Sequence, residues 1–190
     1  MRCEAILTQH DLRDLFAKLA PLEIRIGESA TLVLESPTEV SLVAVEGVSV
    51  VCDATLHWPL LGVDLPVHMR QLTVRIHLAV RPGPNGNSGV LAFTLQIERT
   101  GVSLLPAAFD DRVTTLLNKE LVSKHVELAW NFGKTLTHVF SLPAGLVSAA
   151  ALGVRVESGS IEVTENEVRL VVEFGADVQK RVGATDRRSA

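Results

Sequence analysis

The sequence predicts an α+β fold that is mostly β: a long curled antiparallel sheet wrapped around one or two amphipathic helices. Three observations lead there. Apolar and polar residues alternate with a period of two through most of the chain between Leu22 and Phe174. Only two segments, one after Thr8 and one around Asp110, switch to helical spacing. Each strand has a single apolar face, as antiparallel strands covered on one side do, whereas strands of a fully covered parallel sheet are apolar on both. Every apolar face must be covered. The sheet therefore curls around the helices or, as the alternative, folds on itself as a β-sandwich or barrel with peripheral helices.

The first helix starts at Thr8, a good N-cap, with Asp11 three residues on and Leu7 placed to staple against Leu12. Leu12, Leu15, Phe16 and Leu19 recur at helical spacing, and Pro21 ends the run just after Ala20. Strands follow. Val48, Val50, Cys52, Ala54, Leu56 and Trp58 share one face, with Ser49, Asp53, Thr55 and His57 on the other. Leu72, Val74, Ile76, Leu78 and Val80 repeat the pattern against Thr73, Arg75 and His77, and after the turn "RPGPNGNSG" so do Leu91, Phe93, Leu95 and Ile97. The second helix opens near Pro106, with Asp110 and Asp111 early in it, where the helix dipole favours negative charge. Phe109, Val113, Leu116, Leu117 and Leu121 form its apolar stripe. Val126, Leu128, Trp130 and Phe132 then alternate with Glu127 and Asn131, Gly133 marks a turn, and Leu136, Phe140 and Leu142 share one side of a returning strand. The stretch from Gly153 to Phe174 closes the body as two or three strands, with turns at "SGS" and "TENE". This gives roughly ten strands and two helices in one domain over residues 1–175. Residues 176–190, aperiodic and basic, are expected to form a disordered tail.

Composition narrows the function. Of the 190 residues 47% are hydrophobic, which suits a globular core and argues against low-complexity disorder. Aromatic residues make up 4%, Tyr is absent and the net charge is -4, so nucleic acid is not an expected partner. The six histidines form no HxxxH pair, Cys3 and Cys52 stand apart as free thiols, and neither a metal nor a cofactor is expected. There is no GxSxG nucleophile elbow. The row Asp53, Thr55, His57 offers acid-base groups on one strand face, yet ordinary solvent-facing alternation produces such rows, and the expectation is a protein that is not an enzyme, with a hydrolase as the alternative. The N-terminus has neither a secretory signal nor a lipobox, and no run reaches the roughly 18 apolar residues that span a bilayer. As written the chain reads as cytoplasmic, with an envelope location open if a leader was trimmed.

The order of parts carries a resemblance. The helix "TQHDLRDLFAKLA", the long hairpin from Val48 through "WPLLGVDLPV" to Val80, the helix "FDDRVTTLLNKELV" and the closing "VESGSIEVTENEVRLVVEF" together resemble the tubular lipid-binding (TULIP) domains in their single-module bacterial form. The resemblance runs from about Ile6 to Phe174. It implies a gap between helix and sheet that holds acyl chains, and hence binding of a lipid, fatty acid or other apolar ligand without catalysis. The candidate lining is Trp58, Leu60, Leu61 and Val63 at the hairpin tip, Leu116, Leu117 and Leu121 on the second helix, and Phe140. An apolar hairpin tip serves equally as an entrance, a lip for peripheral membrane contact, or a plug folded over the end of the sheet. The competing function is a protein-interaction or scaffolding domain with a solidly packed core, in which tip or strand edges join another protein or a second copy in a homo-oligomer.

Overall fold

A computed structural model describes residues 1–26, 30–60, 63–83, 88–102, 107–123, 127–141 and 150–180, with the side chains at 59, 60, 63, 88, 107–109, 123, 127, 128, 179 and 180 outside that description. In chain order the elements are β1 (Arg2–Thr8), α1 (Gln9–Leu19), β2 (Leu22–Ile26), β3 (Ala30–Val43), β4 (Gly47–Leu60), β5 (Val63–Pro82), β6 (Ser88–Arg99), α2 (Ala107–Ser123), β7 (Glu127–Asn131), α3 (Phe132–Leu136), β8 (His138–Ser141), β9 (Ala150–Val163) and β10 (Glu167–Lys180). The fold is mostly β, built of curled antiparallel sheets that form half-barrels, with a minority of short helices. The strands are divided between two sheets, one of six in the order β2-β3-β4-β5-β6-β7 and one of four in the order β1-β10-β9-β8.

The curl of the larger sheet follows from what α2 touches. This helix packs against β6 and also against β2, four strand spacings away in the sheet order. On a flat sheet those strands would lie about 19 Å apart at ~4.8 Å per spacing, too far for a helix ~10 Å across. The sheet must therefore wrap the helix. Bulges accommodate the bend: Arg70 and Gln71 of β5 together face Asp53 of β4, with Gln71 in the left-handed region at φ 55° and its amide bound to the Asp53 carboxylate at 3.1 Å. Gly101, at φ 56°, lies against this kink; a Cβ there would sit 1.9 Å from the Arg70 carbonyl, so only glycine fits.

The main core lies inside the larger sheet, from Ile24, Leu32 and Val40 through Val48, Leu56, Leu72, Val74 and Ile97, closed by Leu12 of α1, Leu117 and Leu121 of α2, and Val163 and Val168 from the second sheet. A smaller cluster of Leu91, Phe132, Val156 and Val172 lies where β9 packs on β6. The Thr8–Asp11 capping box opens α1 as its sequence predicts, and "TENE" is the β9–β10 turn, held by Thr164 and Glu167.

Several expectations are corrected. Residues 2–8 form β1, an edge strand paired with β10, because backbone bonding to a neighbour overrides their mixed polarity. The "SGS" stretch lies inside β9, paired with Val171–Glu173, rather than in a turn. Phe132 and Gly133 belong to α3, capped by Asn131, so Trp130 and Phe132 diverge: Phe132 is buried and Trp130 exposed. The expected tail boundary also moves. Residues 176–180 continue β10 in register with Val154 to Ala150, and 181–190 lie outside the described residues.

Candidate functional site

The site is built where the β4–β5 hairpin outruns its neighbours. Pairing of β3 to β4 ends at Thr31 opposite His57, and pairing of β5 to β6 begins only at Thr73. Over Trp58–Leu60 and Val63–Leu65 these two strands pair with each other and with no other strand among the described residues, and Trp58 stands directly opposite Leu65. The parity that buries Leu56 continues into this tip, so Trp58 faces inward yet stays 39% exposed, and Leu65 is 44% exposed.

The partner is α2, whose position is fixed by polar anchors as well as by its apolar stripe. The Asn118 side chain accepts from the Ile97 amide at 2.8 Å and donates to the Ile97 carbonyl at 2.6 Å. It acts as a one-residue strand on the edge of β6, where β7 has already ended opposite Thr94. At the other end Asp110 accepts from the Val102 amide at 3.2 Å and from the buried Thr100 hydroxyl. These anchors face the sheet with Leu117 and Leu121, turning Leu116 outward, where it is 46% exposed.

Between tip and helix lies an open depression of about 100 Å³ lined by Trp58, Arg112, Val113, Leu116 and Leu117, with a surface that is almost wholly apolar. The structure thus brings together Trp58, Leu116 and Leu117 of the expected lining. Leu121 is one turn further along the same helix, buried in the core. Leu61 lies outside the described residues, and Leu60 and Val63 are placed only by their backbone, paired across the tip. Phe140 is elsewhere: it sits on β8 of the smaller sheet, 50% exposed, its ring edge-on to His138 at 4.7 Å. Two residues were missed. Asn118 and Arg112 sit among helix-surface polar residues, and their one signal is spacing: Asn118 lies four residues from Thr114, Arg112 four from Leu116.

The opposite face of the same hairpin is polar. Glu35, Asp53, Thr55, His68 and Arg70 line an open groove of about 470 Å³. His68 Nδ1 lies 3.1 Å from the Thr55 hydroxyl, while His57 turns away from this groove to Asp64, 2.8 Å across the tip. The Asp53, Thr55, His57 row is thus divided among three neighbours, with Asp53 held by the Gln71 amide. The remaining described histidines pair locally, His77 with Gln96 and His10 with Asp14, and no three His, Cys, Asp or Glu side chains converge among the described residues. No described helix is long and apolar enough to cross a membrane. Cys52, on the buried parity of β4, has its thiol pushed up to about 11 by burial and by the nearby Asp53 and Glu35 carboxylates. Compared with known proteins, the chain matches no family model, no curated protein and no solved structure.

Proposed function

We propose that the chain binds the apolar part of a lipid or comparable amphiphile, without catalysis, in the depression between the β4–β5 tip and α2. One observation carries this: Trp58 and Leu116, each nearly half exposed, border an apolar depression whose lining includes the buried Leu117. An aromatic side chain and a leucine left open to water beside such a surface are what an apolar ligand needs and what a closed core avoids. A helix laid inside a curled sheet is also the arrangement that a TULIP-like domain would use.

The size sets the mode of binding. At roughly 30 Å³ per water-sized group, about 100 Å³ holds three or four methylenes. Their burial contributes ~3 kcal/mol at ~0.8 kcal/mol each. Useful affinity therefore requires the rest of the chain to lie along the exposed apolar side of the tip, near Leu65. The test is native mass spectrometry of protein purified from more than one expression host, followed by loading with fatty acid after solvent extraction. A bound lipid mass that disappears in Leu116→Asp, with the circular dichroism unchanged, supports the reading. Protein that carries no extractable lipid and takes up no added fatty acid sinks it. A dimer that Leu116→Asp dissociates would move the assignment to the interaction domain.

A further inference from the structure

The depression has a single charged residue in its lining. Arg112 lies one helical turn before Leu116 on α2, its side chain is exposed, and it forms no ion pair or hydrogen bond with any described residue. Arg13, Arg25, Arg99 and Arg155 are exposed as well; what sets Arg112 apart is its place in the lining of the depression. An unpaired guanidinium beside an apolar surface offers a planar fork of N–H donors to an oxygen anion arriving with an apolar chain.

The geometry points to Arg112 as the head-group ligand of this site, so that the preferred occupant is an amphiphile with a single negative charge, its chain against Trp58 and Leu116 and its anionic oxygens on the guanidinium. This rests on the binding function proposed above and adds the charge of the ligand to it. One cation answers one negative charge, which fits a carboxylate or a phosphodiester. A dianionic phosphate monoester would keep one negative charge uncompensated.

The chain has two tryptophans, and Trp130 stands on β7 away from the depression. Trp130→Phe therefore leaves Trp58 as the sole reporter at the site. In that background, emission is followed while dodecanoate or dodecanol is added below its aggregation limit at low salt. The expected result is dodecanoate binding roughly 1.5- to 5-fold more tightly, the range for one exposed ion pair, with the gap narrowing in 1 M salt. Arg112→Gln brings the ratio of dodecanoate to dodecanol affinity to about one, whatever the loss of its stem from the lining does to both probes; Arg112→Lys keeps part of the preference, because charge remains and the fork is lost. A short-chain phosphatidylglycerol beside dodecanoate tells the phosphodiester from the carboxylate, and Arg112-dependent binding of either supports the assignment. If the two dodecyl probes bind equally, or Arg112→Gln weakens both alike, the head-group role is overturned while apolar binding stands. If Trp58 emission responds to neither probe, the binding function fails and the head-group role falls with it. Arg112 is exposed, so both Arg112 variants should keep the melting temperature of the Trp130→Phe background, and that measurement guards each comparison.

Discussion

Along β4 the residues Val48, Val50, Cys52, Ala54 and Leu56 are buried, whereas Trp58, next on the same face, is 39% exposed. The local pattern is the same on both sides of that break; what changes is the surroundings. From Val48 to Leu56 the hairpin has β3 along one side, its β5 strand is flanked by β6 beyond Thr73, and the inner face is roofed by α1 and α2. Beyond His57 no strand flanks the hairpin among the described residues, and α2 borders Trp58 only across an open depression. Alternation therefore specifies which way a side chain points. Whether it is covered depends on where the neighbouring elements stop, and the site lies at that boundary.

The sharpest way to break this comparison is to truncate one residue on each side of it. Leu56→Ala, at a position with 1% exposure, should lose about 3 kcal/mol, since the enclosing side chains cannot collapse into the space. Trp58→Ala removes a larger side chain and should still lose less, about 2 kcal/mol, because the ring is 39% exposed and the space it leaves opens to solvent instead of forming a closed cavity. Urea unfolding measures both. Equal losses would mean that the tip belongs to the core and the boundary is not real.

A smaller effect tests the roof. Asn118→Ala leaves the Ile97 amide and carbonyl without their side-chain partner on a partly buried strand edge, which should cost roughly 2 kcal/mol. Hydrogen exchange should speed up first at Ile97, while the amides of the β9–β10 hairpin keep their protection. If all amides exchange faster together, α2 is part of one cooperative unit with the second sheet and does not act as a separable cover.

The covered half was readable from sequence in detail. Period-two alternation assigned Val48 to Leu56 and Leu72 to Ile76 to the inner face, and Thr8 with Asp11 marked the start of α1, because these features depend on residues close in the chain. The division into two sheets was not readable, since it depends on β1 reaching across to β10, more than 160 residues away. The same limit applies at the site. Trp58, Leu116 and Leu117 carry a local apolar signal, and the fold brings them around one depression; Phe140 carries the same signal, and β8 places it on the smaller sheet. Arg112 and Asn118 look like ordinary helix-surface residues until the sheet edge and the tip are brought beside them. Their surroundings are set only by tertiary contact.

The mildest probe of the contrast is a thiol. Cys52 lies in the covered half at 1% exposure, with its pKa raised from 9.0 to about 11, while Cys3 on the edge strand β1 is exposed. At pH 8 a disulfide reagent should therefore modify Cys3 at once and Cys52 only as fast as the hairpin opens. The sign of the pH effect follows from the direction of the shift. The folded state holds the Cys52 proton more tightly than the unfolded chain does, so its contribution to stability is complete below pH 9 and is lost as pH rises towards 11. Cys52→Ala should flatten the alkaline limb of the stability curve between those limits. Adding Asn118→Ala should speed the labelling of Cys52, since α2 roofs the face on which that thiol lies. If Cys52 reacts as quickly as Cys3 in the parent protein, the inner face of β4 is open to solvent well short of the tip.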